Sequence, residues 1–191
     1  MSVKPHPDYP AILAVLESLL SHAKHLDAIW YRCVETSFAS QIVAGEGARQ
    51  HGGRWNAIAS FPTVYLSDSP ETALQEYLAR ARRMKWPDHR SLPMVMAAIE
   101  VKAGKVLDLA IPSVATALDT FLESEKAHWR SIQARREAVS QAIGRAAREA
   151  GFLGLIAPSQ QVSGARNAVL FPDRFGRRDR LSAPNLKAIK G

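Results

Sequence analysis

The segment VYLSDSPETALQE, residues 64–76, contains a direct change from strand to helix. Its first three residues are branched or aromatic, which is typical of a short strand. Ser69 followed by Pro70 is a common helix start, because a serine side chain caps free N–H groups and proline fits the first helical turn. The segment therefore predicts a short strand that turns into a helix running to about Arg83.

Further strands and helices are predicted on both sides of this corner. They are a helix from Tyr9 to about His25, strands at 28–34, 152–157 and 167–171, and helical pieces between 113 and 150 that end at Gly151. Two apolar runs, 93–101 and 105–109, flank Ala103 and Gly104 and predict a hairpin. Residues 39–56 include four glycines without periodicity and predict a long loop, a length that is usually functional.

Mixed strands and helices in a chain of 191 residues predict a single α+β domain. Apolar residues make up 47% of the chain and charged residues 23%, as in ordinary folded domains. No stretch approaches the roughly 18 consecutive apolar residues of a membrane span, and the first ten residues include three prolines and no apolar run. We therefore expect a cytoplasmic protein without membrane partners. The one cysteine, Cys33, excludes an internal disulfide.

The basic residues are concentrated towards the C-terminus. Residues 1–125 hold 12 Lys and Arg against 14 Asp and Glu, whereas residues 126–191 hold 13 against 4. The sequence predicts a folded domain over residues 1–173 followed by a basic tail over residues 174–191. A basic nucleic-acid-binding module is one alternative for such a chain. Because the aromatic residues that would stack on bases are not interleaved with these arginines, we expect no direct contact with nucleic acid.

Several common catalytic motifs are missing from the sequence. His22 and His25 have no accompanying HExxH motif or Cys/His cluster, so we expect no metal cofactor. The glycines of residues 45–53 fit neither a GxGxxG turn nor a P-loop, and there is no GxSxG motif. Rossmann-type dinucleotide binding, P-loop chemistry and serine-hydrolase chemistry are therefore not indicated.

A set of polar residues carries the functional prediction. The set comprises Arg32 in the apolar strand 28–34, Arg54 in the segment GGRWN at 52–56, Tyr65, Glu76, and Ser159 and Asn167 near the last two predicted strands. Tyr65 follows Arg54 by eleven residues, and Glu76 follows Tyr65 by eleven more. Together with the pair Pro158-Ser159 and a last strand that ends in Phe-Pro, this pattern resembles the RES-domain family, toxin components of bacterial toxin–antitoxin pairs.

The resemblance covers most of the chain and implies both a fold and an activity. The family resembles mono-ADP-ribosyltransferases of the diphtheria-toxin type, which implies a split, mainly antiparallel sheet around an NAD⁺ cleft with helices outside. Its members cleave NAD⁺, their substrate, between nicotinamide and ribose. ADP-ribose then passes to water, to phosphate or to a protein, in one branch a phosphoribosyl pyrophosphate synthetase. The resemblance also implies a growth-arresting toxin whose cognate antitoxin carries a helix-turn-helix region.

The residue types suit this implied reaction. Glu76 would stabilise the oxocarbenium-like ribose as nicotinamide leaves, and Arg32 and Arg54 would pair with the two phosphates. Tyr65 offers an aromatic face for the nicotinamide cation, and polar side chains near the late strands would hydrogen-bond the ribose or the amide. The implied catalytic residues are Glu76, Arg32 and Ser159, and the implied NAD⁺-binding residues are Arg32, Arg54, Tyr65, Ser159 and Asn167.

The same residues also fit purely structural roles. Glu76 lies four residues before Arg80, as in a surface ion pair on a helix. Arg32 would then cover apolar surface with its stem, and Tyr65 would belong to the core. A role in beginning or capping turns applies to the remaining two residues, Ser159 and Asn167. An interaction protein that keeps the fold and binds NAD⁺ without consuming it is a further alternative.

Overall fold

The computed structural model describes residues 3–87, 92–125 and 128–186, which form helices and strands in alternation. In chain order these are α1 (Tyr9–Ser18), β1 (Lys24–Glu35), α2 (Glu46–His51), β2 (Val64–Ser67), α3 (Pro70–Arg83), β3 (Met94–Asp108), α4 (Pro112–Ser124), α5 (Trp129–Ile132), α6 (Val139–Ala150), β4 (Gly154–Pro158), β5 (Arg166–Leu170) and β6 (Arg180–Ser182). None of the described helices has both the length and the hydropathy to cross a membrane.

The strand-to-helix corner forms as predicted. β2 ends at Ser67, and the side chain of Ser69 accepts a hydrogen bond from the backbone N–H of Thr72 at the start of α3. Pro70 is the first residue of the helix, where its missing N–H costs nothing. The predicted stop at Gly151 is also confirmed, because this residue ends α6 with a left-handed φ of 102°.

The strands form one sheet in the order β1-β2-β5-β4-β3-β6, and β1 pairs with β3 as well. The additional pairing closes β1, β2, β5, β4 and β3 into a ring, with β6 added beside β3. Each of these pairings is antiparallel except β3 with β4, which is parallel. The expected single α+β domain with a mainly antiparallel sheet is therefore confirmed.

The hairpin predicted at 93–109 is wrong. Met94–Asp108 is one continuous strand that pairs with β1 along most of its length. Ala103 is fully buried within it, and the N–H of Gly104 donates to Asp179 Oδ1 at 3.0 Å. The long ladder with β1 outweighs the local turn signal, because strand formation depends on partners distant in sequence.

The loop predicted at 39–56 contains more regular structure than expected. Thr36–Gln41 is a short 3-10 helix, and Glu46–His51 forms α2. Gly45 and Gly52 bound α2 with left-handed φ values of 76° and 71°. The glycines therefore permit two sharp changes of direction around a helix of six residues.

Two apolar cores lie on opposite sides of the sheet. One packs α1, α4 and α6 against the sheet and includes Phe152, Leu155 and Phe171. The other lies among the strands of the ring and includes Trp30 and Ile99. Along β2 the even-numbered residues point into this second core, which leaves Tyr65 and Ser67 on the opposite face.

Residues 174–186, the described part of the predicted basic tail, pack on the sheet. β6 pairs with the middle of β3, and Phe175 and Leu181 contact the core among the strands. The sequence pattern gives no sign of this short strand. Residues 187–191 lie outside the described residues, and the division at residue 173 remains a prediction.

Carboxylates within the fold form ion pairs with five of the ten arginines that follow residue 125. The pairs are Arg136 with Glu125, Arg145 with Glu137, Arg148 with Asp173, Arg166 with Asp68 and Arg180 with Glu100. Four of the five acidic partners are more than ten residues distant in sequence from their arginines. The uneven charge along the sequence therefore does not translate into an equally uneven charge in three dimensions.

The GGRWN segment rests directly on α6. A Cβ added to Gly144 of α6 would lie 1.8 Å from the backbone oxygen of Trp55, which is a severe steric clash. Gly144 is therefore the point at which helix and segment make their closest contact. By contrast, Gly47 in α2 has open space around its missing Cβ.

We predict that Gly144→Ala lowers the free energy of unfolding by about 1–3 kcal/mol, because the Trp55 backbone must move to admit the methyl group. Gly47→Ala is the matched control, and it should leave stability unchanged or raise it by up to about 1 kcal/mol through helix propensity. Urea denaturation of the three proteins measures both effects. Equal stability of Gly144→Ala and wild type would contradict the tight contact.

Candidate active site

Glu76 receives two hydrogen bonds at a single carboxylate oxygen. Ser159 Oγ donates to Glu76 Oε1 at 2.8 Å, and Asn167 Nδ2 donates to the same atom at 2.7 Å. The carboxylate lies on α3, whereas its donors lie just after β4 and on β5, 83 and 91 residues later in the chain. Among the described residues, no ion pair joins Glu76 to Arg80, so the surface pair considered from the sequence does not form.

The Ser159 hydroxyl is oriented by the turn that it begins. Its oxygen accepts hydrogen bonds from the N–H groups of Gln161 and Val162 at 3.1 and 3.2 Å. Because those contacts occupy the oxygen lone pairs, the hydroxyl hydrogen is left to point at Glu76. The turn-forming role considered from the sequence and the contact with Glu76 are therefore both present.

Asn167 is held on its other side by a residue that the sequence analysis did not select. Ser67, the last residue of β2, donates its hydroxyl hydrogen to Asn167 Oδ1 at 2.8 Å. The two residues are also direct cross-strand partners in the β2–β5 ladder. The Asn167 side chain thus bridges a serine on one strand and the carboxylate on α3.

The GGRWN segment forms a closed turn that positions Arg54. The N–H of Gly53 donates to the carbonyl of Asn56 at 2.9 Å, and the buried Gln141 of α6 donates to the carbonyls of both residues. The half-buried Arg54 side chain reaches the carbonyl of Pro158, immediately before Ser159, at 3.5 Å. Its guanidinium therefore lies beside the strand end that contacts Glu76.

The hydroxyl of Tyr65 fastens this turn to β2. It donates to Asn56 Oδ1 at 2.8 Å and accepts from the N–H of Trp55 at 3.0 Å. A Cβ at Gly53 would lie 2.3 Å from the hydroxyl oxygen, so the turn requires glycine there. Burial raises the pKa of Tyr65, and nearby Arg54 partly opposes that rise. The hydroxyl is thus neutral and serves as both donor and acceptor at physiological pH.

Arg32 is the predicted site residue least directly connected to Glu76. Its Nη1 donates to the carbonyl of the buried Ile42 at 2.6 Å. Burial, with a smaller contribution from Arg80, lowers the pKa of Arg32 to about 10, so the side chain remains a cation at neutral pH. Tyr65 is close enough to interact with it electrostatically.

Five arginines interact electrostatically with Tyr65 or with one another, and we call them the arginine cluster. Its members are Arg32, Arg54, Arg80, Arg83 and Arg130, which affect one another, Tyr65 or Glu76 electrostatically. Arg80 and Arg83 follow Glu76 by four and seven residues on α3, a spacing that places them on one helix face. Arg130 lies over the Trp129 ring at 4.3 Å from its centroid. No described carboxylate comes within ion-pair distance of any member.

The structure therefore brings the predicted residues together to different degrees. Glu76, Ser159 and Asn167 are in direct contact, and Arg54 is next to them. The hydroxyl of Tyr65 hydrogen-bonds to the GGRWN segment, which carries Arg54. Arg32 interacts electrostatically with Tyr65. The sequence analysis missed Ser67, Arg80, Arg83 and Arg130. Ser67 lies two residues after Tyr65 on the same strand, and Arg80 and Arg83 share a helix face with Glu76. Strand and helix periodicity could therefore have indicated these three residues but not Arg130.

Known proteins resemble this chain in sequence and in structure. A family model described as RES domain matches residues 8–187. The chain belongs to the RES domain family. In the part of this RES domain that the structure describes, no group of three or more His, Cys, Asp or Glu side chains is arranged to hold a metal ion.

Two curated relatives and one solved structure resemble this RES domain. The relatives, both named NAD(+) phosphorylase MbcT, come from Mycobacterium bovis and Mycobacterium tuberculosis and are 33% identical over 97 residues, 48% of this chain and 51% of theirs. The chain thus spans about half the length of the curated relatives it matches. The crystal structure of the M. tuberculosis MbcT–MbcA toxin–antitoxin complex matches with a TM-score of 0.64 and 21% identity, covering 90% of this chain and 88% of that chain. This likeness shows that the two share a fold.

We predict that Tyr65→Phe lowers the free energy of unfolding by about 1–3 kcal/mol, because the Trp55 N–H and the buried Asn56 amide oxygen lose their partner. Tyr31→Phe on β1 is the matched control, since its hydroxyl bonds to none of the described residues, and it should change stability by less than about 0.5 kcal/mol. Thermal and urea unfolding measure the difference. Similar losses in both variants would show that the hydroxyl does not fasten the turn.

Proposed function

We propose that this RES domain cleaves NAD⁺ at the bond between nicotinamide and ribose and transfers ADP-ribose to inorganic phosphate. The observation that carries the proposal is a half-buried carboxylate, Glu76, fixed by two donors and interacting with Arg54 of the arginine cluster, whose members have no carboxylate partner among the described residues. Such a site offers a negative charge for the reacting sugar and positive charges for anionic groups on either side of it.

Glu76 would stabilise positive charge on the ribose in the transition state. As the C–N bond breaks, its electron pair goes to nicotinamide, and the sugar becomes oxocarbenium-like. Because Ser159 and Asn167 hold Glu76 Oε1, the carboxylate is fixed in place before the reaction begins. A preorganised charge stabilises the transition state without having to reorient during the reaction. No hydrogen bond from another described residue reaches Glu76 Oε2, which leaves this atom to face the substrate.

The arginine cluster supports binding of the anionic parts of the reactants. Guanidinium groups pair with phosphate oxygens through two parallel hydrogen bonds. We propose that Arg54, whose side chain reaches the carbonyl of Pro158 beside Ser159, binds the pyrophosphate of NAD⁺. Arg32 would bind the second phosphate, and Tyr65 would contact the nicotinamide end of the substrate.

Phosphate is the acceptor that the observations favour. The curated relatives, about half of whose length aligns with this chain, are named NAD(+) phosphorylase. A phosphate dianion approaching the ribose must overcome repulsion from Glu76, and Arg80, Arg83 and Arg130, which have no carboxylate partner among the described residues, would offset that repulsion. In the balanced reaction a phosphate oxygen bonds to the ribose C1 atom while neutral nicotinamide leaves. Mass analysis of the ADP-ribose product distinguishes phosphate from the other acceptors, which are water and a protein, including a phosphoribosyl pyrophosphate synthetase.

The proposal extends to a growth-arresting toxin of a toxin–antitoxin pair. The solved structure that shares this fold is a toxin–antitoxin complex. We accordingly propose a cognate antitoxin that carries a helix-turn-helix region and a cytoplasmic site of action, where NAD⁺ and phosphate are both abundant. We expect this antitoxin to be encoded beside the toxin, and expression of the toxin with and without that gene, followed by culture density and cellular NAD⁺, tests this part.

We predict that Glu76→Gln lowers kcat about 10²–10³-fold, because it removes the charge opposite the developing cation. The KM for NAD⁺ should change much less, since bound NAD⁺ does not yet carry the oxocarbenium charge. The assay measures nicotinamide release at saturating NAD⁺ and phosphate, with mass analysis of the ADP-ribose product. Glu71→Gln, an exposed glutamate on the first turn of α3, is the matched control and should retain wild-type kcat.

Three outcomes would count against the proposal. Wild-type rates in a folded Glu76→Gln protein would remove Glu76 from catalysis. An ADP-ribose product without attached phosphate would show that the acceptor is water or a protein and that the reaction is not phosphorolysis. Absence of nicotinamide release, together with salt-dependent binding of DNA or RNA, would favour the nucleic-acid-binding alternative.

We predict that Arg54→Lys weakens NAD⁺ binding by about 10-fold with folding intact, because lysine keeps the charge but loses the planar fork. Arg49→Lys on α2 is the control, since Arg49 is exposed and pairs with Glu46 at 2.7 Å. Calorimetric titration of the Glu76→Gln background with NAD⁺ measures affinity without turnover. Unchanged affinity in Arg54→Lys would show that the guanidinium does not grip the pyrophosphate.

A further inference from the structure

Ser67 is a small polar residue enclosed between β2, β5 and the candidate active site. It is 4% exposed, and its one hydrogen bond from the side chain goes to Asn167 Oδ1 at 2.8 Å. On the opposite end of the same amide, Asn167 Nδ2 contacts Glu76 Oε1 at 2.7 Å. Ser67 therefore influences the carboxylate through one intervening side chain without touching it.

The chemistry of the three groups determines the direction of each hydrogen bond. An ionised carboxylate only accepts, so Asn167 must present its NH₂ group to Glu76. The amide oxygen then faces Ser67, and the serine hydroxyl must act as the donor. Hydrogen atoms consequently point from Ser67 to Asn167 and from Asn167 to Glu76, in one direction along the chain of contacts.

The serine limits the movement of the Asn167 amide. The carboxylate selects which end of the amide faces it, because a carboxylate only accepts, whereas a serine hydroxyl can donate or accept. The hydrogen bond from Ser67 then holds the far end of the amide in place and restrains rotation about the Cβ–Cγ bond. The backbone supplies that fixed position, because Ser67 and Asn167 are paired residues in the β2–β5 ladder.

We propose that Ser67 is a positioning residue for the reaction at Glu76: its hydroxyl fixes the Asn167 amide so that Nδ2 faces the carboxylate. This inference rests on the proposed cleavage of NAD⁺. It concerns the orientation of the carboxylate, and Ser67 itself contacts neither the substrate nor the reacting atoms.

The test combines Ser67→Ala with Asn167→Ala in a double-mutant cycle. Ser67→Ala should lower kcat about 3- to 10-fold, the effect of one lost hydrogen bond, with KM for NAD⁺ within about twofold of wild type. In the Asn167→Ala background the same substitution should have no further effect on kcat, because the side chain through which Ser67 acts is missing. Ser67→Thr keeps the hydroxyl and should restore kcat to within about twofold of wild type.

Ser140→Ala on α6 is the matched control for loss of a buried serine, since Ser140 is 7% exposed and no hydrogen bond among the described residues joins its side chain to Glu76, Ser159 or Asn167. It should leave kcat unchanged. The side-chain amide signals of Asn167 in a nitrogen-15 NMR spectrum, assigned by their loss in Asn167→Ala, give a readout without turnover. They should form one sharp pair in wild type and Ser67→Thr, and should shift and broaden in Ser67→Ala.

These readouts separate failure of this inference from failure of the proposed function. Additive losses of kcat in the cycle, or Asn167 amide signals that Ser67→Ala leaves unchanged, would overturn the positioning role. Loss of the function would appear instead as an inactive wild type or an unaffected Glu76→Gln variant. The NMR comparison remains decisive in that case, because it requires no catalysis.

Discussion

The structure depends on how the negative charge of Glu76 is accommodated. A half-buried carboxylate requires donors, and here both donors come from the late pair β4 and β5, while the carboxylate itself lies on α3. The pair of hydrogen bonds therefore ties the first half of the chain to the second. Arg54 of the arginine cluster interacts with the same charge, and no described carboxylate lies within ion-pair distance of the cluster. Glu76 is thus both a structural junction and the centre of the candidate site.

The fold was predictable where local residues determine the conformation. The Ser69-Pro70 pair sets the start of α3, and Gly151 sets the end of α6, because capping and backbone freedom act within a few residues. The hairpin at 93–109 failed for the opposite reason. Its residues form β3 and take their conformation from pairing with β1, which lies about sixty to eighty residues earlier in the sequence.

The candidate site was predictable mainly through residue identity. The resemblance selected Glu76, Ser159 and Asn167, but neither it nor the spacing indicated that both donors meet at one oxygen. Ser67 escaped notice because a lone serine at a strand end has no distinctive pattern. Arg130 is a similar case, since its relation to Tyr65 exists only in three dimensions. Likewise, the basic excess after residue 125 gave little information about the site, because five of the ten arginines there form ion pairs with carboxylates, four of which are distant in sequence.

The long separation between Glu76 and its donors has a consequence for synthesis of the chain. A growing polypeptide contains Glu76 well before Ser159 and Asn167 emerge, so for much of translation the carboxylate has no fixed orientation. The ring of strands cannot close until β4 and β5 have been synthesised, since β2 pairs with β5, which lies about a hundred residues later in the sequence. Sheets built from such distant pairs form slowly. A nascent chain that has not yet reached Asn167 thus lacks the assembled candidate site, and the proposed activity requires that β4 and β5 have both been synthesised.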